Sequence, residues 1–187
     1  KAAERNCAIA GSVAVCENGN YYNRFYFVHP DGAVQHYDKK HLFTFGGEHK
    51  RFTAGTERVV VNFRGVRILL EVCYDLRFPV WSRNLGDYDM ILYVASWPTP
   101  RVDAWSALLR AWAIENQCYV AGVNRMGTDP ACEYSGGSAI IDPYGKTIAE
   151  CPWSRESAVS ADIDMEALQA FRKKFPVLDD ADPFTLI

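Results

Sequence analysis

Apolar and polar positions along the chain repeat with two periods, and the switches between them mark the elements. Residues 7–16 (CAIAGSVAVC) and 22–28 (YNRFYFV) predict two strands, and Asn18-Gly19 between them predicts a tight hairpin. "HPDGAV" at 29–34 predicts a second turn, after which "QHYDKKHLF" leads into a polar loop that runs through residue 55. Residues 58–63 (RVVVNF) and 66–72 (VRILLEV) predict two more strands around an Arg64-Gly65 turn. A short helix is expected from Pro79 to about Leu85, with proline in its first turn.

The second half becomes more uniformly apolar. Residues 88–96 (YDMILYVAS) and 118–127 (CYVAGVNRMG) read as strands buried on both faces. Between them, residues 102–117 place Trp105, Leu108, Leu109, Trp112 and Ala113 on one face at helical spacing. Residues 137–151 predict a hairpin turning at Asp142-Pro143-Tyr144-Gly145. A last strand at 157–163 and a helix at 165–174 complete the pattern. Hairpins mixed with strand–helix–strand units predict a layered α/β fold in a single domain.

Composition narrows the function classes. The 187 residues are 49 % hydrophobic and 23 % charged with a net charge of −3, and no Lys/Arg stripe is present, so neither nucleic acid nor an anionic membrane is an expected partner. No apolar run approaches the roughly 20 residues of a membrane-spanning helix. The six cysteines are scattered through strand-like runs without a CxxC pair, which favours reduced thiols in a cytoplasmic setting over a disulfide framework or a zinc site. Neither a metal nor a cofactor is expected.

One cysteine stands apart by position. Cys73 closes the apolar run "LLEVC", which carries the single acid Glu71, and is followed at once by Tyr74, Asp75, Arg77 and Pro79. Free cysteine is usually inert core filler, the reading that Cys118 receives. The carboxyl end of a strand in an α/β sheet is instead where ligands gather, so Cys73 is equally readable as a nucleophile. The loop 37–55 supplies Lys39, Lys40, His41, Glu48, His49 and Lys50, with Phe43, Phe45 and Phe52 interleaved. Loops of that length in compact domains are more often functional than idle.

The segments "YDKKHLF", "GEHKRFTAG", "CYDLRFPVWSRNLGDYDMILYVASWPTPR", "LLRAWAIENQCYVAGVNRMG" and "KFPVLDDAD" resemble the nitrilase superfamily of carbon–nitrogen hydrolases, and within it the bacterial ω-amidase branch. The resemblance implies an αββα sandwich and hydrolysis of a small carboxamide, such as the ω-amide of a dicarboxylic or keto acid, through a cysteine thioester. It places the nucleophile at Cys73, the family lysine at Lys39 rather than Lys40, and the loop glutamate at Glu48. By the same resemblance the Tyr74 amide joins Lys39 at the oxyanion, Phe43 and Trp97 wall the substrate, and Arg101 is a candidate for a substrate carboxylate. Asp75 and Arg77 are expected to form an ion pair that shapes the turn.

The resemblance also implies a homodimer or larger homo-oligomer, with Phe175 and Pro176 near the interface. Two departures stand out. The family's general-base glutamate has no match, since Glu4 is the only acid among residues 1–15; about the first quarter of a family domain is expected to be absent. Trp112 stands where the family usually has arginine. Other small amides, a papain-like Cys73–His41 pair and a non-catalytic role in interfaces are the competing readings.

Overall fold

The computed structural model describes residues 1–185. It opens with a single helical turn, α1 (Ala2–Arg5), and continues as a meander of three antiparallel strands, β1 (Ile9–Glu17), β2 (Asn20–Val28) and β3 (Val34–Asp38). The hairpin falls at Asn18 and Gly19, both with positive φ (51° and 79°), as the Asn-Gly pair predicts. β3 was not expected: it starts within the segment read as a turn and continues into the one read as loop. Its polar face is open to solvent, while Tyr37 is buried beneath it.

A six-stranded mixed sheet follows. It is built from β4 (Val60–Phe63), β5 (Val66–Val72), β6 (Met90–Ala95), β7 (Tyr119–Asn124), then past the short ribbon β8 (Met126–Thr128) and β9 (Glu133–Ser135), β10 (Ala139–Ile141) and β11 (Thr147–Glu150). The spatial order is β11-β10-β7-β6-β5-β4, with β5, β6 and β7 parallel at the centre. Buried on both faces, these strands read as continuous apolar runs. Helix α2 (Pro79–Ser82) is one turn long, and α3 (Val102–Glu115) is the crossover between β6 and β7. Gly122 on β7 lets α3 approach: a Cβ there would lie 2.5 Å from a Leu109 methyl and 2.8 Å from the Trp105 ring.

Helix α4 (Met165–Lys174) is capped by Asp164, whose carboxylate accepts the Ala167 N–H at 2.8 Å. Arg172 ties α4 to the sheet by donating to Asp89 (2.8 Å) and to the Gln117 carbonyl (2.9 Å). The strand expected at 157–163 does not form: the stretch pairs with no strand among the described residues.

Two apolar clusters fill the layers. One packs α3 (Trp105, Leu109, Trp112, Ala113) against one face of the six-stranded sheet. The other fills the gap between the sheets with Phe25, Phe27 and Tyr37 against Val61, Ile68, Leu70 and Val72. Trp112 lies in the first cluster, with its indole N–H donating to the Leu76 carbonyl at 2.9 Å, so the aromatic ring is accommodated as core. Cys73 packs against both clusters, at the seam where the layers meet.

Candidate active site

The carboxyl ends of β5, β6 and β7 border a cleft of about 730 Å³, the position where open α/β sheets bind ligands. Cys73, Tyr74, Lys39, Glu48, Phe43, Trp97 and Arg101 all line it. Seven residues picked out from four separate stretches of sequence therefore converge on one cavity.

Cys73 is the first residue past β5 and has φ 51°, a left-handed conformation that is uncommon and costly for a non-glycine residue. The chain turns there into a 3-10 segment, Cys73–Arg77, which carries the thiol out of the sheet. Burial pushes the Cys73 thiol above its usual range, and the Lys39 charge opposes that rise. The Sγ lies 3.9 Å from the Ser96 carbonyl at the end of β6.

Lys39 follows β3 directly and is only 3 % exposed, so its charge needs a partner. Glu48 supplies it, with Oε2 at 2.6 Å from the ammonium. The same Oε2 accepts the Phe43 N–H at 2.6 Å, and Oε1 accepts from the Asn23 amide at 3.2 Å. Burial alone would raise the Glu48 carboxyl, but the Lys39 charge and these bonds hold it below the ordinary carboxylate range. Lys40, one residue on, points elsewhere and lies 5.1 Å from the centre of the Trp81 ring.

The walls are aromatic and the rim is cationic. The Arg101 guanidinium sits 5.5 Å from the centre of the Phe43 ring, and the Arg77 guanidinium 5.0 Å from that of Trp97. Trp97 is fixed by donating its indole N–H to the Arg101 carbonyl (2.7 Å), while its backbone N–H donates to Asn124 (2.7 Å). Asn23 and Arg125 also border the cleft and were not singled out from the sequence, and Arg77, expected only as an ion-pair partner, borders it too. Asn23 gives no local signal, since it is an ordinary strand residue until β2 pairs with β3.

Two sequence readings need correction. Asp75 and Arg77 form no ion pair. Asp75 turns inward beneath the elbow while Arg77 turns out over Trp97. His41 does not serve the thiol either. Its Nδ1 lies 2.8 Å from Asp75 Oδ1 and its ring stacks on Phe78 at 3.8 Å, which removes the Cys73–His41 alternative. Glu4 is exposed beside the N-terminal amine and does not line the cleft.

The geometry compares with known proteins as follows. The family model for carbon–nitrogen hydrolases matches residues 1–173. The Escherichia coli K12 protein named omega-amidase YafV is 53 % identical over 187 residues, covering 100 % of this chain and 73 % of its own length. The 2-oxoglutaramate amidase of Bacillus subtilis is 41 % identical over 175 residues, covering 92 % of this chain and 67 % of its own. Among solved structures, XC1258 of Xanthomonas campestris, a CN-hydrolase superfamily protein with an arsenic adduct in its active site, superposes with a TM-score of 0.96. It is 46 % identical, with 99 % of this chain and 73 % of that one covered.

Proposed function

The chain belongs to the carbon–nitrogen hydrolase family, and from that premise we propose that it is an ω-amidase-like enzyme that hydrolyses a small carboxamide to a carboxylate and ammonia. One observation carries the proposal: a left-handed cysteine at a strand end shares a cleft with a buried lysine held 2.6 Å from a glutamate.

In this reading Cys73 Sγ attacks the amide carbon and the carbonyl oxygen becomes an oxyanion. The Lys39 ammonium and the Tyr74 amide N–H stabilise that charge. Collapse of the tetrahedral intermediate breaks the C–N bond, and the leaving nitrogen takes up a proton to depart as ammonia. Water then attacks the thioester and releases the carboxylate, regenerating the thiol. The proton that Cys73 Sγ gives up as it attacks is the one the leaving nitrogen takes up, and the attacking water returns a proton to the thiolate when the thioester is cleaved.

Glu48 holds Lys39 in place and cationic. Phe43 and Trp97 confine the apolar part of the substrate, and Arg101 takes a carboxylate at its far end. The cationic rim and the relatives' names together favour an ω-amide of a dicarboxylic or keto acid, with 2-oxoglutaramate as the first compound to test. No helix among the described residues is long and apolar enough to cross a membrane; a cytoplasmic enzyme acting as a single domain and a homodimer fits this reading. The test is ammonia release from 2-oxoglutaramate by the purified chain and its Cys73→Ala variant. Release by the wild type alone supports the proposal; equal release by both overturns it.

A further inference from the structure

Asp75 is fully buried, yet its carboxylate meets four donors from two parts of the chain. Oδ1 accepts the His41 backbone N–H at 2.9 Å and lies 2.8 Å from His41 Nδ1. Oδ2 accepts the Tyr37 hydroxyl at 2.9 Å and the Val72 N–H at 3.0 Å. The Tyr37 oxygen in turn accepts the Lys40 N–H at 3.0 Å. Tyr37 and His41 bracket Lys39, two residues on either side, while Asp75 lies two residues past Cys73. One carboxylate thus joins the strand end that carries the lysine to the elbow that carries the thiol.

We propose that Asp75 is a positioning residue, a clamp that holds Cys73 in its left-handed turn and docks the Lys39 segment against it in a single register. This rests on the reading of Cys73 and Lys39 given above. Three features support the clamp. Cys73 at φ 51° is a conformation that must be stabilised from outside, and the Val72 N–H to Asp75 bond closes that turn. Burial, together with Glu71 and Asp75 nearby, keeps the Tyr37 hydroxyl protonated and therefore a donor. The stack of His41 on Phe78, which directly follows the 3-10 segment, adds a second fastening between the same two parts. Asp75 never faces the substrate, since it is absent from the cleft wall.

Asp75→Asn keeps the volume but turns one acceptor oxygen into an N–H donor, which opposes two of the four bonds. A displacement of about 1 Å between reacting groups costs about 100-fold in rate, so kcat is expected to fall by about that factor while KM stays within about threefold. Alkylation of Cys73 by iodoacetamide needs no oxyanion donor and feels Lys39 only through its charge on the thiol, so it is expected to stay within about tenfold of wild type. His41→Ala should lower kcat, and His41→Asn, which restores a side-chain donor without the ring, should recover most of the loss. If Asp75→Asn does not fold, the His41 pair decides.

A folded Asp75→Asn enzyme with unchanged kcat, or His41→Asn no better than His41→Ala, overturns the clamp. A crystal structure of Asp75→Asn reads it without any substrate. Displacement of the Lys39 segment or of Cys73 supports the proposal, and unchanged geometry refutes it. Loss of the hydrolase reading would appear separately, as a wild-type enzyme that releases no ammonia.

Discussion

Cys73 and Cys118 both adjoin apolar strands of one sheet, and locally their sequences look alike. Cys118 enters β7 at 0 % exposure, its Sγ 3.9 Å from the Trp112 carbonyl. Burial lifts its thiol far above the usual range, and the Arg172 charge opposes that rise only in part. Cys73 leaves β5 into a left-handed turn at the wall of a 730 Å³ cleft, with Lys39 opposing the effect of burial. Both thiols are desolvated. The difference lies in access to the cleft, so what a cysteine can do is decided by what closes around the strand end.

Substitution at the two sites breaks the comparison most sharply. Cys73→Ala should fold normally and lose turnover by at least ~10⁴-fold, the order seen when a covalent nucleophile is removed; thermal melts and ammonia release check both halves. Lys39→Met should lower kcat by at least ~100-fold, as deletion of one oxyanion donor does, with steady-state kinetics as the measurement. Cys118→Ala should leave kcat/KM unchanged but cost about 1–2 kcal/mol through a small core void, measured by denaturant unfolding.

Beneath the elbow, Glu71 sharpens the contrast further. It is fully buried and accepts one hydrogen bond, from Ser82 at 3.0 Å. Burial, and then the neighbouring Asp75, raise its carboxyl well above the ordinary range. A raised folded value means that this group stabilises the fold fully below the usual glutamate range and progressively less as pH rises through the folded value. Glu71→Gln removes that titration, so its Tm relative to wild type should climb as pH rises above the usual glutamate range. A pH series of thermal melts tests the slope. Smallest of all, Lys40→Met should change kcat by less than about twofold, because that side chain points to Trp81 and away from the cleft.

The parts legible in the sequence were those governed by local rules. Helical spacing located α3 and matched α4 at Met165–Lys174, and continuous apolar runs located β5, β6 and β7. The convergence of Lys39, Glu48 and Cys73 followed from the family resemblance, not from their spacing. What escaped depended on contacts between distant segments. Asp75 was paired with Arg77 by proximity, whereas its true partners, Tyr37 and His41, lie 38 and 34 residues away. β3 escaped because its polar residues suit a loop until β2 offers an edge, and 157–163 looked like a strand although it is unpaired among the described residues. At the position where the resemblance implied arginine, the Trp112 ring fills the core and its N–H finds a carbonyl.

The central claim is that Cys73 carries the acyl group during turnover. Acid quenching of the chain in the steady state with 2-oxoglutaramate, followed by peptide mass spectrometry, reads this directly. The account predicts an acyl adduct on the peptide containing Cys73, labile to hydroxylamine and absent from Cys73→Ala. Ammonia release with Cys73 unmodified, or an adduct carried by any of the other five cysteines instead, would contradict it.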